Sequence, residues 1–235
     1  MAEQLRAAYR GAVPRYRRDD ESEVQSRHHR RLWTILRSIG MSFSFPIAVL
    51  EAGCGTGRYF HCLENVDLLM GLDVSSDMLK GAGNPVLREQ VSARRIDLIC
   101  ENVFHVAFPP GSFDFIYSLG MFGNGCPVTS EICERFFTWL KAGGKLFFDV
   151  LSLANLPLRV QMRRTARRLA YPLFPARVRR RLDQRAARMP LFALSRSDLE
   201  DIMRSTSFSE FDVSIQADGL PRWGGAHLEC LAVKS

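Results

Sequence analysis

Several things are missing from this sequence, and each absence narrows the reading. No apolar run approaches the roughly 20 residues needed to cross a bilayer, which argues against a membrane-spanning chain. The opening residues, Met1 to Arg6, mix charges and lack the apolar core of a signal peptide. None of the six cysteines forms a C-x-x-C pair, so neither a disulfide framework nor a zinc site is expected. Reduced packing cysteines point to a cytoplasmic protein. Only five histidines are present, and His61, His105 and His227 read as packing or surface residues rather than as a base. No metal constellation, catalytic group, internal repeat or low-complexity tract outside one arginine-rich stretch stands out.

The 235 residues present suit a single α/β domain, 1–235, with an ordinary apolar fraction. The net charge of +7 is concentrated in one place. Pro157 to Pro190 carries eleven arginines against the single acid Asp183, a net +10, which leaves −3 for the rest. Any argument about anionic partners therefore concerns that segment.

Residues 1–45 read as a basic, tyrosine-containing lead broken at Pro14, then a helix. Asp19, Asp20, Glu21 and Glu23 are expected to open that helix and Gly40 to end it. Strands are expected at Ile47 to Ala52, Leu68 to Asp73, Ile96 to Cys100, Phe113 to Ser118 and Lys145 to Val150. Ser75 and Ser76 can cap a short helix after the second strand, and a helix over Val128 to Lys141 precedes the fifth. Near-continuous apolar strands alternating with helices predict a doubly wound, mostly parallel sheet with helices on both faces. Phe211 to Gln216 and His227 to Val233 add an antiparallel C-terminal hairpin, giving about seven strands.

The organising stretch is Val49-Leu50-Glu51-Ala52-Gly53-Cys54-Gly55-Thr56-Gly57. Alternating glycines allow positive φ and let a ligand lie against the main chain. Arg58 to Leu63 reads as a helix whose free N–H groups would face that ligand. A dinucleotide corner wants G-x-G-x-x-G, but the third glycine comes one residue early and Arg58 takes the last glycine's place. Glu51 would repel a pyrophosphate and attract an α-ammonium, by roughly 4 kcal/mol at 4 Å with a dielectric near 20, before desolvation. Asp73, twenty residues past Gly53, can accept both hydroxyls of a ribose; the alternative is a turn or helix-capping aspartate.

On these residues the chain resembles the class I S-adenosylmethionine (SAM) methyltransferases, whose first motif has the form E/D-x-G-x-G-x-G. The resemblance continues through Cys100 to Val103, Phe108 to Asp114 and Leu140-Lys141-Ala142-Gly143-Gly144, and so covers about Ile47 to Val150. It implies a Rossmann-like fold, S-adenosyl-L-methionine as cofactor and methyl transfer to a small molecule. The implied cofactor-binding residues are Glu51, Gly53, Cys54, Gly55, Gly57, Asp73, Val74, Met78, Asn102, Val103 and Ser118. The family's usual acid at the adenine falls on Asn102, so its role is either amide recognition of adenine or that of a loop residue. Glu101 is the other candidate for the acid's work.

The acceptor is expected against the loop after the fourth strand, where Met121 and Asn124 stand out, and Tyr16, with Tyr9, either closes over the site from the N-terminal lead, as the resemblance implies, or is an ordinary aromatic anchor. That loop lacks the Asn/Asp-Pro-Pro-Tyr/Phe pattern of many nucleic-acid and protein amino-methyltransferases. Residues 152–194 read as an arginine-rich helical insert, a candidate lid for an anionic acceptor. Two alternatives stay open: a solvated helical face, or contact with RNA or an anionic membrane surface on a methyltransferase scaffold. Sparse aromatics there (Tyr171 and Phe174) count against single-stranded RNA.

Overall fold

The computed structural model describes residues 2–123, 125–153, 192–216 and 227–235, together with Pro175 and Arg177. Seven strands form one sheet in the order β3-β2-β1-β4-β5-β7-β6. They are β1 (Ile47–Ala52), β2 (Val66–Asp73), β3 (Arg95–Cys100), β4 (Phe113–Ser118), β5 (Leu140–Leu151), β6 (Glu210–Gln216) and β7 (His227–Val233). The first five run parallel; β7 lies antiparallel between β5 and β6. The expected Rossmann-like sheet and its antiparallel C-terminal pair are therefore present. The order reverses between β1 and β4, and ligands of such sheets bind beyond the strand ends at that switch point.

Helices cover both faces. On one, α5 (Ser130–Trp139) and α6 (Arg196–Arg204) bury Ile132, Phe136, Trp139, Leu199 and Met203 against Leu50, Ile116 and Phe148. On the other, α3 (Arg27–Met41) buries Leu32, Leu36 and Ile39 against Val49, Phe115 and Phe147. Between the third-strand edge and the N-terminus sit α4 (Ser76–Ala82), α1 (Ala2–Tyr9) and α2 (Val13–Glu23).

Three local expectations need correction. The N-terminal helix is two helices, because Ser26 takes an extended conformation and its side chain accepts the His29 N–H at 2.9 Å, starting α3 afresh. The acids 19–23 consequently end α2 instead of opening a helix, and Pro14 sits in the first turn of α2, where its missing N–H costs nothing. Arg58 to Leu63 holds only a single 3-10 turn, Phe60–Cys62. All three residues of that turn are buried, and Gly53 to Asn65 is about the shortest crossover that can join parallel strands. Finally, α5 stops at Trp139 and β5 begins at once, its Gly143 bending at φ +74°.

Candidate functional site

A cavity of about 240 Å³ opens at the C-terminal ends of the parallel strands, beneath α1 and α2. Its walls include Glu51, Gly53, Cys54, Gly55, Asp73, Val74, Met78, Asn102, Val103, Tyr16 and Met121. Eleven residues singled out in the sequence thus meet in one place. Gly57 and Ser118 lie outside that lining. A side chain on Gly57 would strike the Phe60 ring at 2.9 Å, so this glycine serves the turn behind the site. Ser118 is fully buried, with no hydrogen-bond partner for its hydroxyl. Asn124 lies outside the described residues, as does nearly all of 152–194, including the arginine-rich lid.

The β1–β2 corner sets two carboxylates, Glu51 and Asp73, beside glycine main chain. Gly53 and Gly55 take φ of +76° and +55°. A Cβ on Gly53 would run into Met121, whereas one on Gly55 would meet only the Met78 methyl at 3.6 Å, so main chain there faces open space. Glu51 is 1% exposed and accepts the Tyr117 hydroxyl at 2.7 Å. Burial, partly offset by that hydrogen bond, pushes its carboxyl up to about 8. Among the described residues no cation is paired with it. Asp73 accepts the N–H of Gly55 at 2.9 Å and of Ser75 at 2.8 Å, one on each oxygen. A carboxylate offers about four lone-pair sites, so acceptors remain on the cavity side. Burial raises its pKa against those hydrogen bonds. Asn102 gives its side-chain oxygen to the Phe104 N–H at 3.1 Å, and Glu101 accepts the Asn102 N–H at 2.7 Å.

The N-terminal helices are fastened over this corner. Asp20 is 1% exposed, accepts from Arg58 Nε at 2.6 Å and also takes the Thr56 hydroxyl. Arg58, the residue that breaks the dinucleotide pattern, is therefore the anchor for α2. Arg6 donates to the Val74 carbonyl at 3.1 Å, and the Gly11 N–H donates to Asp77 at 3.2 Å. Tyr9 and Tyr16 meet edge to face at 5.9 Å, and both line the cavity.

The opposite wall comes from elements remote in sequence. Asp149 on β5 accepts the Gly120 N–H at 2.6 Å with one oxygen and meets His227 Nδ1 at 2.9 Å with the other. A carboxylate only accepts, so Nδ1 carries the proton and Nε2 keeps its lone pair. His227 is 6% exposed, lines the cavity, and its Nε2 has no partner. Burial alone would lower its pKa, but the hydrogen bond and charge of Asp149, joined by Glu229, hold it above the ordinary histidine value. His28 stands beside it, ring centres 6.4 Å apart. Next to them Arg31 of α3 forms a two-pronged ion pair with Glu229 of β7.

From the sequence His227 reads as a packing or surface residue and Asp20 as a helix-opening acid, while Asp149 and His28 carry no site signal. The β5–β7 register would have been the signal: Asp149 faces Glu229 and Leu151 faces His227, so Asp149 and His227 are diagonal neighbours on one face. Such a register is set by tertiary pairing, which a single sequence does not display.

A methyltransferase-domain family model matches residues 50–148. Demethylmenaquinone methyltransferase of Listeria welshimeri is 28% identical over 130 residues, 54% of either chain. The enzyme of that name from Lactiplantibacillus plantarum is 31% identical over 114 residues, 47% of either chain. This chain spans about half the length of the curated relatives it matches. Magnesium protoporphyrin IX methyltransferase from Synechocystis, solved with bound SAH, shares the fold at TM-score 0.59 and 15% identity, over 88% of this chain and 84% of that one. So does the 1,6-didemethyltoxoflavin-N1-methyltransferase of Burkholderia thailandensis, at TM-score 0.59 and 16% identity over 100% and 88%. No described helix is long and apolar enough to cross a membrane. With its glycine corner, acid-ended second strand and sheet order, the chain carries a methyltransferase-type domain over residues 50–148 and is similar there to the class I SAM-dependent methyltransferases, whose cofactor is S-adenosyl-L-methionine.

Proposed function

We propose that this chain transfers the methyl group of S-adenosyl-L-methionine to a small molecule whose acceptor atom arrives protonated. The observation that carries this reading is one cavity lined both by the buried, cation-seeking Glu51 and by His227, whose Nε2 has no partner. When bound, the cofactor supplies a methyl group activated by a positive sulfur. Glu51 would hold its amino-acid end, Gly53 to Gly55 its tail, Asp73 its ribose, and Asn102 and Val103 its adenine. Tyr9 and Tyr16, held by the Asp20–Arg58 pair, would exclude water.

His227 would take the acceptor's proton at Nε2, while Asp149 fixes the tautomer and steadies the imidazolium that forms. Methyl transfer needs a base only when the acceptor atom carries a proton, which favours a hydroxyl or amine. Tyr9, Tyr16, Phe104 and Met121 offer such an acceptor an apolar, aromatic-sized enclosure. The similarity to a demethylmenaquinone methyltransferase, a magnesium protoporphyrin IX methyltransferase and a 1,6-didemethyltoxoflavin-N1-methyltransferase supports a ring-bearing small molecule. The arginines of 157–190 would receive an anionic group on it. With its cysteines reduced, the protein would work in the cytoplasm.

The test has two parts. SAM and S-adenosylhomocysteine should each raise the melting temperature, and NAD should not; no shift with either at saturation ends the cofactor assignment. A labelled-methyl assay against phenols, quinols and heteroaromatic amines should then give turnover that rises with pH. Turnover indifferent to His227→Ala would remove that residue from the chemistry.

A further inference from the structure

Behind the cavity floor, three ligating side chains converge that methyl transfer does not use. His29 Nε2 lies 3.1 Å from His61 Nε2. Cys62 Sγ lies 3.7 Å from the first nitrogen and 3.6 Å from the second. An ion bonded to two imidazole nitrogens at about 2.0–2.1 Å and a thiolate at about 2.3 Å, with tetrahedral angles, sets its ligands about 3.3 Å apart for the nitrogens and about 3.6 Å for each nitrogen–sulfur pair. The three observed separations match that triangle within a few tenths of an ångström. Protein-only bonding accounts for less of it: the two nitrogens can share one proton, and thiol–imidazole contacts at these lengths are weak. The Nδ1 atoms of both rings have no partner, so beside packing and the stacking on each other and on Tyr59 their polar contacts run through Nε2.

We propose that His29, His61 and Cys62 bind a single borderline-soft metal ion of the Zn²⁺ type, with a fourth position left for a small ligand. Thiolate with imidazole selects Zn²⁺ or Cu⁺ over Mg²⁺ or Ca²⁺, which want oxygen. The carboxylate of Glu89 acts on His61 and favours a cation, against the opposing charge of Arg58 on His29. All three ligands are at least nine-tenths buried, so the ion would enter during folding. It would staple α3 to the 3-10 turn that replaces a regular helix after the glycine loop. The preceding residue on α3, His28, lines the cavity, so the staple would also set the position of that wall. None of the sequence spacings that announce zinc sites is present, because the ligands are one histidine on a helix and an adjacent His-Cys pair far along the chain.

The experiment uses the full-length chain without an affinity tag, expressed in zinc- and in copper-supplemented medium and dialysed against a weak chelator. Elemental analysis should find about one equivalent of one of these ions per chain, and which ion is retained identifies the metal. Replacing it with Co²⁺ should give the thiolate-to-metal absorption of a tetrahedral site, lost in Cys62→Ser. Chelator stripping should lower the melting temperature of the wild type but not of His61→Asn. If folded wild type that binds SAM carries less than about a tenth of an equivalent of either ion, there is no site. Metal retained unchanged by Cys62→Ser and His61→Asn together would also overturn the assignment, since the ion would then sit elsewhere.

Discussion

The two ends of the cavity are built in opposite ways. The corner at β1 and β2 comes from a stretch of about two dozen residues, Glu51 to Val74, whose glycines and acids carry their function in their local conformation. The far wall joins His28 of α3, Asp149 of β5 and His227 of β7, brought together by an antiparallel strand inserted between β5 and β6. The first end suits a ligand shared across a family; the second suits an acceptor particular to this chain. If that division holds, substitutions at the far wall should change turnover and leave cofactor affinity alone, and substitutions at the corner should do the reverse.

The largest effect is expected at the far wall. His227→Ala should lower turnover about a hundred- to ten-thousandfold with SAM affinity unchanged, as for loss of a general base. Binding calorimetry beside steady-state rates would show the split, and a parallel loss of cofactor binding would erase it. The pH dependence follows from the raised pKa. The base works only when neutral, so activity should climb with pH and turn over above the ordinary histidine value near 6.5. Asp149→Asn removes the main raising influence, so its midpoint should move to lower pH as the rate falls. Stability runs the other way. The contribution from a raised histidine is complete below its unfolded pKa and disappears as pH rises through the folded one.

Next in size is the clasp between cap and corner. Asp20→Ala leaves the largely buried Arg58 guanidinium without its counter-ion, and breaking such a pair costs about 3–5 kcal/mol. With the Arg58 side chain 19% exposed, the low end applies. Proteolysis should then cut within 2–26 first, and SAM should restore protection. A variant as resistant as wild type would show that α2 does not depend on this pair.

The same division explains what could be read before folding. Strands β1 and β4 were legible to the residue because their apolar runs are bounded by a glycine turn on one side and Gly111-Ser112 on the other. Glu51, Gly53, Gly55 and Asp73 were legible because local spacing dictates their roles. The turn after Arg58 was not: periodicity suggests a helix, but full burial of Phe60, His61 and Cys62 overrides it. Asp149, Asp20 and His227 were illegible for another reason. Their partners lie 78 residues away for the histidine pair and 38 for Asp20 and Arg58. The metal-ligand triangle combines both difficulties.

At the corner, Asp73→Ala should weaken SAM binding by about 1.5–3 kcal/mol, the range for hydrogen bonds to a charged group. Part of that loss belongs to the Gly55 and Ser75 N–H groups, which lose their acceptor and loosen the loop. Asp73→Asn separates the contributions, because its amide oxygen can still accept from one of them. An unchanged affinity in Asp73→Ala would take the ribose away from this residue.

The smallest effect is the most specific to a cationic ligand. With no ligand, the Glu51 carboxyl titrates at about 8 against 4.5 in the unfolded chain, and burial is the main cause. An acid shifted upward destabilises the fold as pH rises: its penalty is absent below 4.5 and grows through 8. Glu51→Gln should therefore flatten that part of the stability profile and make the free protein more resistant to heat above neutrality. An α-ammonium beside Glu51 reverses the balance by favouring the ionised carboxyl, so SAM binding near pH 7 should release a proton, visible as a dependence of calorimetric heat on buffer ionisation enthalpy. Ionising a group one unit above ambient pH costs about 1.4 kcal/mol. That cost cancels much of the attraction, and Glu51→Gln should weaken binding only about tenfold or less at pH 7 while abolishing the proton release. Equal release in both proteins would mean that Glu51 stays neutral in the complex and that the ammonium is held elsewhere.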